Sequence, residues 1–366
     1  MTPTRSSFRS ITPWLFAGLG LLAASPAFTL RGADSAAGTY YKTQVPTGVT
    51  ASTASTAAAA KAAKAFLDSL DEAKRGRAVF TYGDDKQRAN WSNLPVTMVP
   101  RAGLKLGELN AAQREKLLAL LASTFSPKGY QKLIEIVNGD EALKHSPGNP
   151  PNLMFGSDEF YISILGTPSD RTPWMLQFGG HHLAINVTLA GAKGVITPSL
   201  TAAQPATYQL DGKTIRPLGA EDSKAFTLIN ALTPEQRTSA ILGSKFRDLV
   251  LGPGHDGKKI APEGVKGSTF TAAQKALLLD LASEWVGIVH ESAAKAKLAE
   301  IESNLADTYF AWSGPTTPGS AAYFRIQGPT VVIEYAPQNL GGNPVNHIHT
   351  IYRDPTNDYG VQFGGR

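Results

Sequence analysis

The chain has 366 residues, no cysteine, and a formal charge of +5 from 35 Lys and Arg against 30 Asp and Glu. That length suits one large domain or two modest ones, and a charged fraction of 18% is too low for a disordered acidic or basic protein. Without cysteine there is no disulfide framework, thiolate nucleophile, Cys-based zinc site or lipoprotein anchor.

Arg5 and Arg9 open the chain, an apolar run from Trp14 to Ala24 follows, and Ser25-Pro26-Ala27 supplies a small-residue cleavage site. This is the layout of a secretory signal peptide over 1–27, and the apolar run is shorter than the roughly 18 to 20 residues of a spanning helix. Losing the two arginines takes the formal charge from +5 to +3 and predicts an exported protein, periplasmic or extracellular. Later basic residues mix with acids and form no stripe with aromatics, so nucleic acid is not an expected partner. No later run reaches transmembrane length, so no stable membrane insertion is expected after cleavage. Residues 28–60, rich in Ala, Ser and Thr, read as a flexible leader. Folding is expected from Lys61, where Phe66, Leu67 and Leu70 recur at helical spacing.

The rest of the chain carries an internal repeat. GLKLGELNAAQREKLLALL from Gly103 and GVKGSTFTAAQKALLLDLA from Gly264 align without gaps at an offset of 161. In each, Asn110 or Thr271 caps a helix and the Gln three residues on reaches back in a capping box. Thr233-Pro234-Glu235-Gln236 predicts a third box, with Pro at the first helical position. Second helices are expected over Tyr130 to Leu143 and Val289 to Leu305, followed by aromatic and β-branched runs that read as hairpins. There the offset is 148, pairing Tyr161 with Tyr309, Gly180 with Gly328 and Asn186 with Glu334. The expectation is an α+β fold, one compact body over 61–366. It is built of a duplicated unit, a helical pair plus an antiparallel β-hairpin, at about 61–210 and 211–366, with one sheet system shared.

Four of the seven histidines fall in two clusters, His181 and His182 in FGGHHLAIN and His347 and His349 in NHIHTIYRDPTNDYG. His145, His255 and His290 are isolated. On a strand, His347 and His349 point the same way, roughly 6.5 Å apart at Cα, and can converge on one divalent ion. If the alternation continues through the first cluster, His181 shares a face with Leu183 and Ile185, and His182 with Ala184 and Asn186. That makes His182 the better third ligand, with His181 and Asn186 as further candidates. Glu334, in the apolar run VVIEY, needs a partner if buried. Arg353, Asp354 and Asp358 follow the second cluster with one cation and two acids. His182, His347, His349 and Glu334 are the ligand types of a zinc, iron or manganese site. The same residues also suit a metal-free polar site, or structural histidines beside an Arg353 ion pair with Asp354 or Asp358. No nucleophile elbow, P-loop or dinucleotide fingerprint occurs, and His290-Glu291 lacks the second histidine of a zincin. LGPGHDGKK, around His255 and Asp256, reads as a turn cluster.

WSNLP, GTPSDRTPWMLQFGGHHLAIN, GPTVVIEY and NHIHTIYRDPTNDYG together resemble the domain-of-unknown-function-3500 family, over the whole chain from about Lys61. The resemblance implies export and no particular substrate or cofactor. It makes His181, His182, His347, His349, Arg353, Asp354 and Asp358 the positions that match the family's motifs. The leading expectation is an exported, metal-dependent, hydrolytic enzyme with His182, His347 and His349 on the ion. Glu334 would be fourth ligand or general base, Arg353 would bind an anionic substrate group, and Asp354 and Asp358 would join the catalytic set. The alternative is a secreted module that binds a small polar or saccharide ligand through His, Arg353, Trp174 and Tyr352 without catalysis.

Overall fold

Asn110, Thr233 and Thr271 each start a helix with a reciprocal capping box, their side chains accepting from the backbone of Gln113, Gln236 and Gln274. These satisfied N-termini fix where the helices begin in a computed structural model that describes residues 39–49, 56–244, 246 and 248–364. The expected signal peptide lies outside the described residues.

Helices α1 (Ala57–Leu67) and α2 (Glu72–Ala78) lead to strand β1 (Val79–Phe80), helix α3 (Asp85–Arg88) and strand β2 (Leu104–Lys105). The helical pair α4 (Ala111–Thr124) and α5 (Pro127–Lys144) follows. Then come β3 (Tyr161–Leu165), β4 (Trp174–Gly180), β5 (Leu183–Ala190), β6 (Lys193–Val195) and β7 (Ser199–Ala203). A separate hairpin, β8 (Tyr208–Leu210) and β9 (Lys213–Ile215), precedes α6 (Gly219–Asn230), α7 (Pro234–Ala240) and β10 (Val265–Lys266). The pair α8 (Ala272–Val286) and α9 (Glu291–Ser303) runs into β11 (Tyr309–Ser313), β12 (Tyr323–Gly328), β13 (Val331–Pro337) and β14 (Ile348–Arg353).

Twelve strands form one sheet in the order β1-β3-β4-β5-β7-β14-β13-β12-β11-β10, with β2 on β3 and β6 on β5. The body is α+β, as expected. Each helical pair feeds a meander of three strands rather than a lone hairpin, because β5 and β13 continue the pairing of β3-β4 and β11-β12. The leader also differs from expectation. Helix α1 begins at Ala57, four residues early, since Ala59, Ala60 and Ala63 are small enough to pack closely in the core. Tyr41 is held by Asn138, which accepts its backbone N–H at 2.8 Å, and by Arg114, which donates to its hydroxyl at 2.7 Å.

Strand alternation gives the sheet two unlike faces. Ile162, Ile164, Phe178, Ile185, Phe310, Trp312 and Phe324 face the helices and share one core with Leu117, Leu121, Leu278 and Trp285. At roughly 1.5–3 kcal/mol for each fully buried large side chain, this face carries most of the burial energy. In register on the other face stand Ser163, Gln177 and Asn186; beyond the junction of β7 with β14, Glu334 and Arg325 pair in register, and His349, which pairs with Ala336, shares their face. Two segments, one within 81–102 that includes the short helix α3 and one within 242–263, cover that row and supply hydrogen bonds to it, such as Gln87 to Gln177 and the Val250 N–H to Glu334. No helix among the described residues is long and apolar enough to cross a membrane.

Candidate metal centre

The polar face gathers three histidines where the first set of strands meets the second. His181 and His182 form the tight turn between β4 and β5, so the expected strand alternation does not apply to them. His182 holds a left-handed φ of 63°, a conformation that costs a non-glycine residue about 1–3 kcal/mol. The turn is pinned by backbone bonds, the His182 N–H to Asn93 O at 3.2 Å and the Ala202 N–H to His182 O at 2.8 Å. His347 and His349, at the start of β14, point the same way, as their spacing predicts.

His182 Nε2 lies 3.1 Å from His347 Nε2, which lies 3.0 Å from His349 Nε2. One ligand atom from each of the three falls within 4.8 Å of the others, and all three residues are buried. Bonds of 2.0–2.1 Å to a tetrahedral ion would set such nitrogens about 3.3 Å apart. One ring has its tautomer fixed: His347 Nδ1 is 2.8 Å from the Leu340 carbonyl, to which only an N–H donates. His349 Nδ1 stands between Asp248 Oδ1 at 3.0 Å and Asn93 Nδ2 at 3.2 Å, and the carboxylate, the stronger partner, favours the proton on Nδ1 and the lone pair on Nε2. Two lone pairs meeting at 3.0 Å repel unless a proton or cation lies between them.

Burial, reinforced by the neighbouring imidazoles, holds His182 well below the usual histidine range. Burial first, then His349, pushes His347 down to about 4. Both rings are therefore neutral near pH 7, the form that ligates metals. Burial works to raise the Asp248 carboxyl, but hydrogen bonds from His349, the Leu249 N–H and Gln338 bring it below its ordinary value. His181 is turned away from the trio. Its Nδ1 is 2.6 Å from Asp140 Oδ1, and its ring stacks on His182 with centroids 3.6 Å apart. Asp140, His181 and His182 form a second group of ligand-type atoms within 4.8 Å. The hydrogen bond within it makes that group a brace for the His182 ring.

Several expected site residues have other work. Glu334 is not a ligand or base here: its carboxylate accepts the N–H groups of Val250 and Leu251 at 2.9 and 2.8 Å and the Tyr323 hydroxyl at 2.6 Å. Arg353 is buried and commits four of its five N–H groups, to Leu251 O, Gly252 O, Asp256 and Asp358, so two carboxylates of the chain already answer its charge. Asp358 also accepts the Asp354 N–H, and Asp354 takes Lys297 and Thr356, so these acids order the turn after β14. Asn186 accepts from Gln177 and donates to Pro198 O, away from the histidines. Trp174 and Tyr352, expected to face a bound ligand, are fully buried on the helix side. Asp256, in the glycine-rich turn, accepts from Arg353 and from the Tyr359 hydroxyl.

Asn93, Asp140, Asp248 and the Leu340 carbonyl were not among the expected site groups. Asn93 lies in the quoted WSNLP motif, with its Nδ2 3.2 Å from His349 Nδ1. Asp248 stands in a stretch without periodicity, and a backbone carbonyl leaves no trace in a sequence.

Fold and site together define an α+β protein whose polar sheet face holds a buried cluster of histidines able to take a metal ion. A family model described as a protein of unknown function (DUF3500) matches residues 52–361, and the chain belongs to that family. No curated protein and no solved structure matches it.

Proposed function

We propose that this is an exported metal-dependent enzyme of hydrolytic type, in which His182, His347 and His349 hold one divalent ion of the zinc, iron or manganese group. The observation that carries the reading is the orientation of two rings: the Leu340 carbonyl and the Asp248 carboxylate hold the Nδ1 of His347 and His349 and turn both Nε2 atoms onto a common point beside His182. Three neutral imidazoles without a carboxylate favour zinc within that group. An ion held by these three residues would supply Lewis-acid polarisation and an activated water for hydrolysis. Glu334 is engaged elsewhere and is not assigned as a base. The test is elemental analysis of protein from Phe28 onward, purified without a histidine tag, beside a His347→Ala/His349→Ala variant. Near-stoichiometric metal that the folded variant lacks is expected. An empty protein that ignores added zinc, iron, manganese and copper sinks the reading.

We further infer that 61–210 and 211–366 are copies of one unit and that the ion sits at their seam. Strand order on the two sides of the β7–β14 pair runs in the same sequence outward, which supports this. So do the facing of Thr201 and Thr350 at 2.8 Å and the parallel pairings Val79–Ile164 and Ile241–Trp312. Fragments 28–211 and 212–366, cut in the turn between β8 and β9 and coexpressed, should copurify as a folded complex; recovery of neither would count against the copies.

A further inference from the structure

Beside the histidines, the same sheet face opens into a small cleft of about 30 Å³ that the metal chemistry leaves unused, lined among others by Gln87, Asn90, Arg101 and Tyr161. Its floor is set by a chain of buried amides. Gln87 Nε2 donates to Ser163 Oγ at 3.1 Å and to Gln177 Oε1 at 3.0 Å, and Gln177 Nε2 donates to Asn186 Oδ1 at 2.9 Å. Because each amide is tied to the next, the floor is rigid before anything binds.

Arg101 is the charged group of this cleft, and no carboxylate answers it. Its guanidinium donates only to main-chain carbonyls, those of Val99, Ser92, Leu94 and Gly180, the last three at 2.8, 2.7 and 3.2 Å. Among the described residues no Asp or Glu lines the cleft. Burial draws this arginine down to about 10, and the one titratable group that acts on it is Tyr161. A guanidinium stays charged at neutral pH, so a cation half withdrawn from water without a counterion is an energetic deficit that a small anion relieves. The carbonyls leave Nε–H and one Nη1–H of the five donors uncommitted, in a cleft that Asn90 and Tyr161 also line.

We infer that this cleft is a binding site for a small carboxylate, held by Arg101 with Asn90. Arg101 also ties the site to the metal centre, since Gly180, whose carbonyl it holds, is the residue before the His181-His182 turn. If the metal-centre reading stands, on which this last step rests, the carboxylate is one end of a substrate whose hydrolysable bond reaches the ion. The anion site itself does not depend on the metal.

The test uses protein stripped of metal by a chelator, so that the probe cannot bind an ion. Thermal unfolding and Trp fluorescence are followed against sodium acetate, against sodium chloride at matched ionic strength, and against acetamide as the uncharged isostere. A saturable rise in the unfolding midpoint with acetate alone is expected. Arg101→Gln should weaken acetate binding roughly tenfold or more, as loss of a charged hydrogen-bond partner does. Asn90→Ala, at a half-buried loop position whose loss the fold tolerates, should weaken it less and remains decisive if Arg101→Gln fails to fold. Equal responses to acetate and chloride, a response to acetamide, or acetate binding unchanged in Asn90→Ala overturns the proposal. Metal analysis of the untreated protein is read separately: acetate binding by a protein that never carries metal sinks the metal centre and leaves the anion site.

Discussion

Replacing Asp248 by asparagine isolates the contact that sets the tautomer of His349. Asp248 Oδ1 lies 3.0 Å from His349 Nδ1, and the Gln338 amide donates to the same oxygen at 3.0 Å. The carboxylate is acceptor-only at neutral pH because its pKa sits below the ordinary aspartate value, so it favours the Nδ1–H form of the ring over the form that the Asn93 amide, 3.2 Å from the same atom, would select. Asparagine keeps the shape but weakens the acceptor and can present its NH₂ instead, which favours the tautomer with its proton on Nε2, where the metal must bind. Loss of such an outer partner costs roughly 10–100-fold in metal affinity, about 1.4–2.7 kcal/mol. The Asp248 side chain is 53% exposed, so the change opens no cavity, and the fold should shift by no more than about 0.5 kcal/mol. Zinc affinity measured by competition with a chromophoric chelator, with urea unfolding of the metal-free proteins alongside, separates the two effects. His347 serves as an internal reference, since its Nδ1 partner is a backbone carbonyl that the substitution leaves in place. Zinc affinity within about twofold of the parent, or an unfolding loss as large as the affinity loss, would refute the tautomer argument.

Three further outcomes are expected. His182→Gly and His182→Ala remove the same ring, but only glycine relieves the left-handed φ of 63°, so the glycine variant should unfold at higher urea by about 1 kcal/mol while both lose metal; an equal or more stable alanine variant contradicts the strain. Gly129→Ala favours helix α5 by propensity, yet its Cβ would stand 2.2 Å from the Ile288 carbonyl oxygen, so overpacking should win and destabilise by about 1–3 kcal/mol in the same assay. Glu284 is buried; burial raises its carboxyl, but hydrogen bonds from Lys128 and Lys224 and the charge of Lys132 bring it down to about 2. A folded pKa below the unfolded 4.5 gives stability that is whole above pH 4.5 and drains away as pH falls toward 2. Urea midpoints from pH 6 to pH 2.5 should therefore drop more steeply for the parent than for Glu284→Gln, and parallel curves would dismiss this carboxylate as a source of acid sensitivity.

The helix starts were legible because a cap is a local event, decided by Asn110, Thr233 or Thr271 and the glutamine three residues on. The shared sheet followed from the aromatic and β-branched runs, since alternation tells which side chains face the helices. The tyrosines Tyr161 and Tyr309, paired in the sequence, both open the first strand of a meander. Site residues were legible only where a single chain segment decides their geometry. His347 and His349 converge because two residues of strand separate them. His181 and His182 defeated the same logic, for a tight turn replaces strand alternation with a left-handed residue that composition does not announce. Glu334 and Arg353 were sound as buried polar groups in need of partners. The Arg353–Asp358 pair, five residues apart, was within local reach, and Tyr323 comes from the neighbouring strand. The other partners, Val250, Leu251 and Asp256, belong to a loop some eighty to a hundred residues earlier, and no local pattern states that it will fold over the sheet to meet them.

That covering loop explains why Glu334 matters to the metal centre without touching it. Its carboxylate fastens the backbone at Val250 and Leu251, two and three residues after Asp248, while Tyr323 both donates to that carboxylate and stacks on Phe246, with centroids 4.1 Å apart. Asp248 is thus carried to His349 on a segment clamped on both sides by one acid and one tyrosine of the sheet. On the opposite side of the seam, the sequence partner of Glu334 is Asn186, a neutral amide that binds Gln177 and the Pro198 carbonyl. The chemistry of the two groups differs accordingly. A carboxylate draws two loop N–H groups directly onto itself, whereas the Asn186 amide meets its covering segment only through Gln177, which binds Gln87 and the Arg88 carbonyl. Both groups are buried, and the loop that the acid fastens is the one that carries Asp248 to His349.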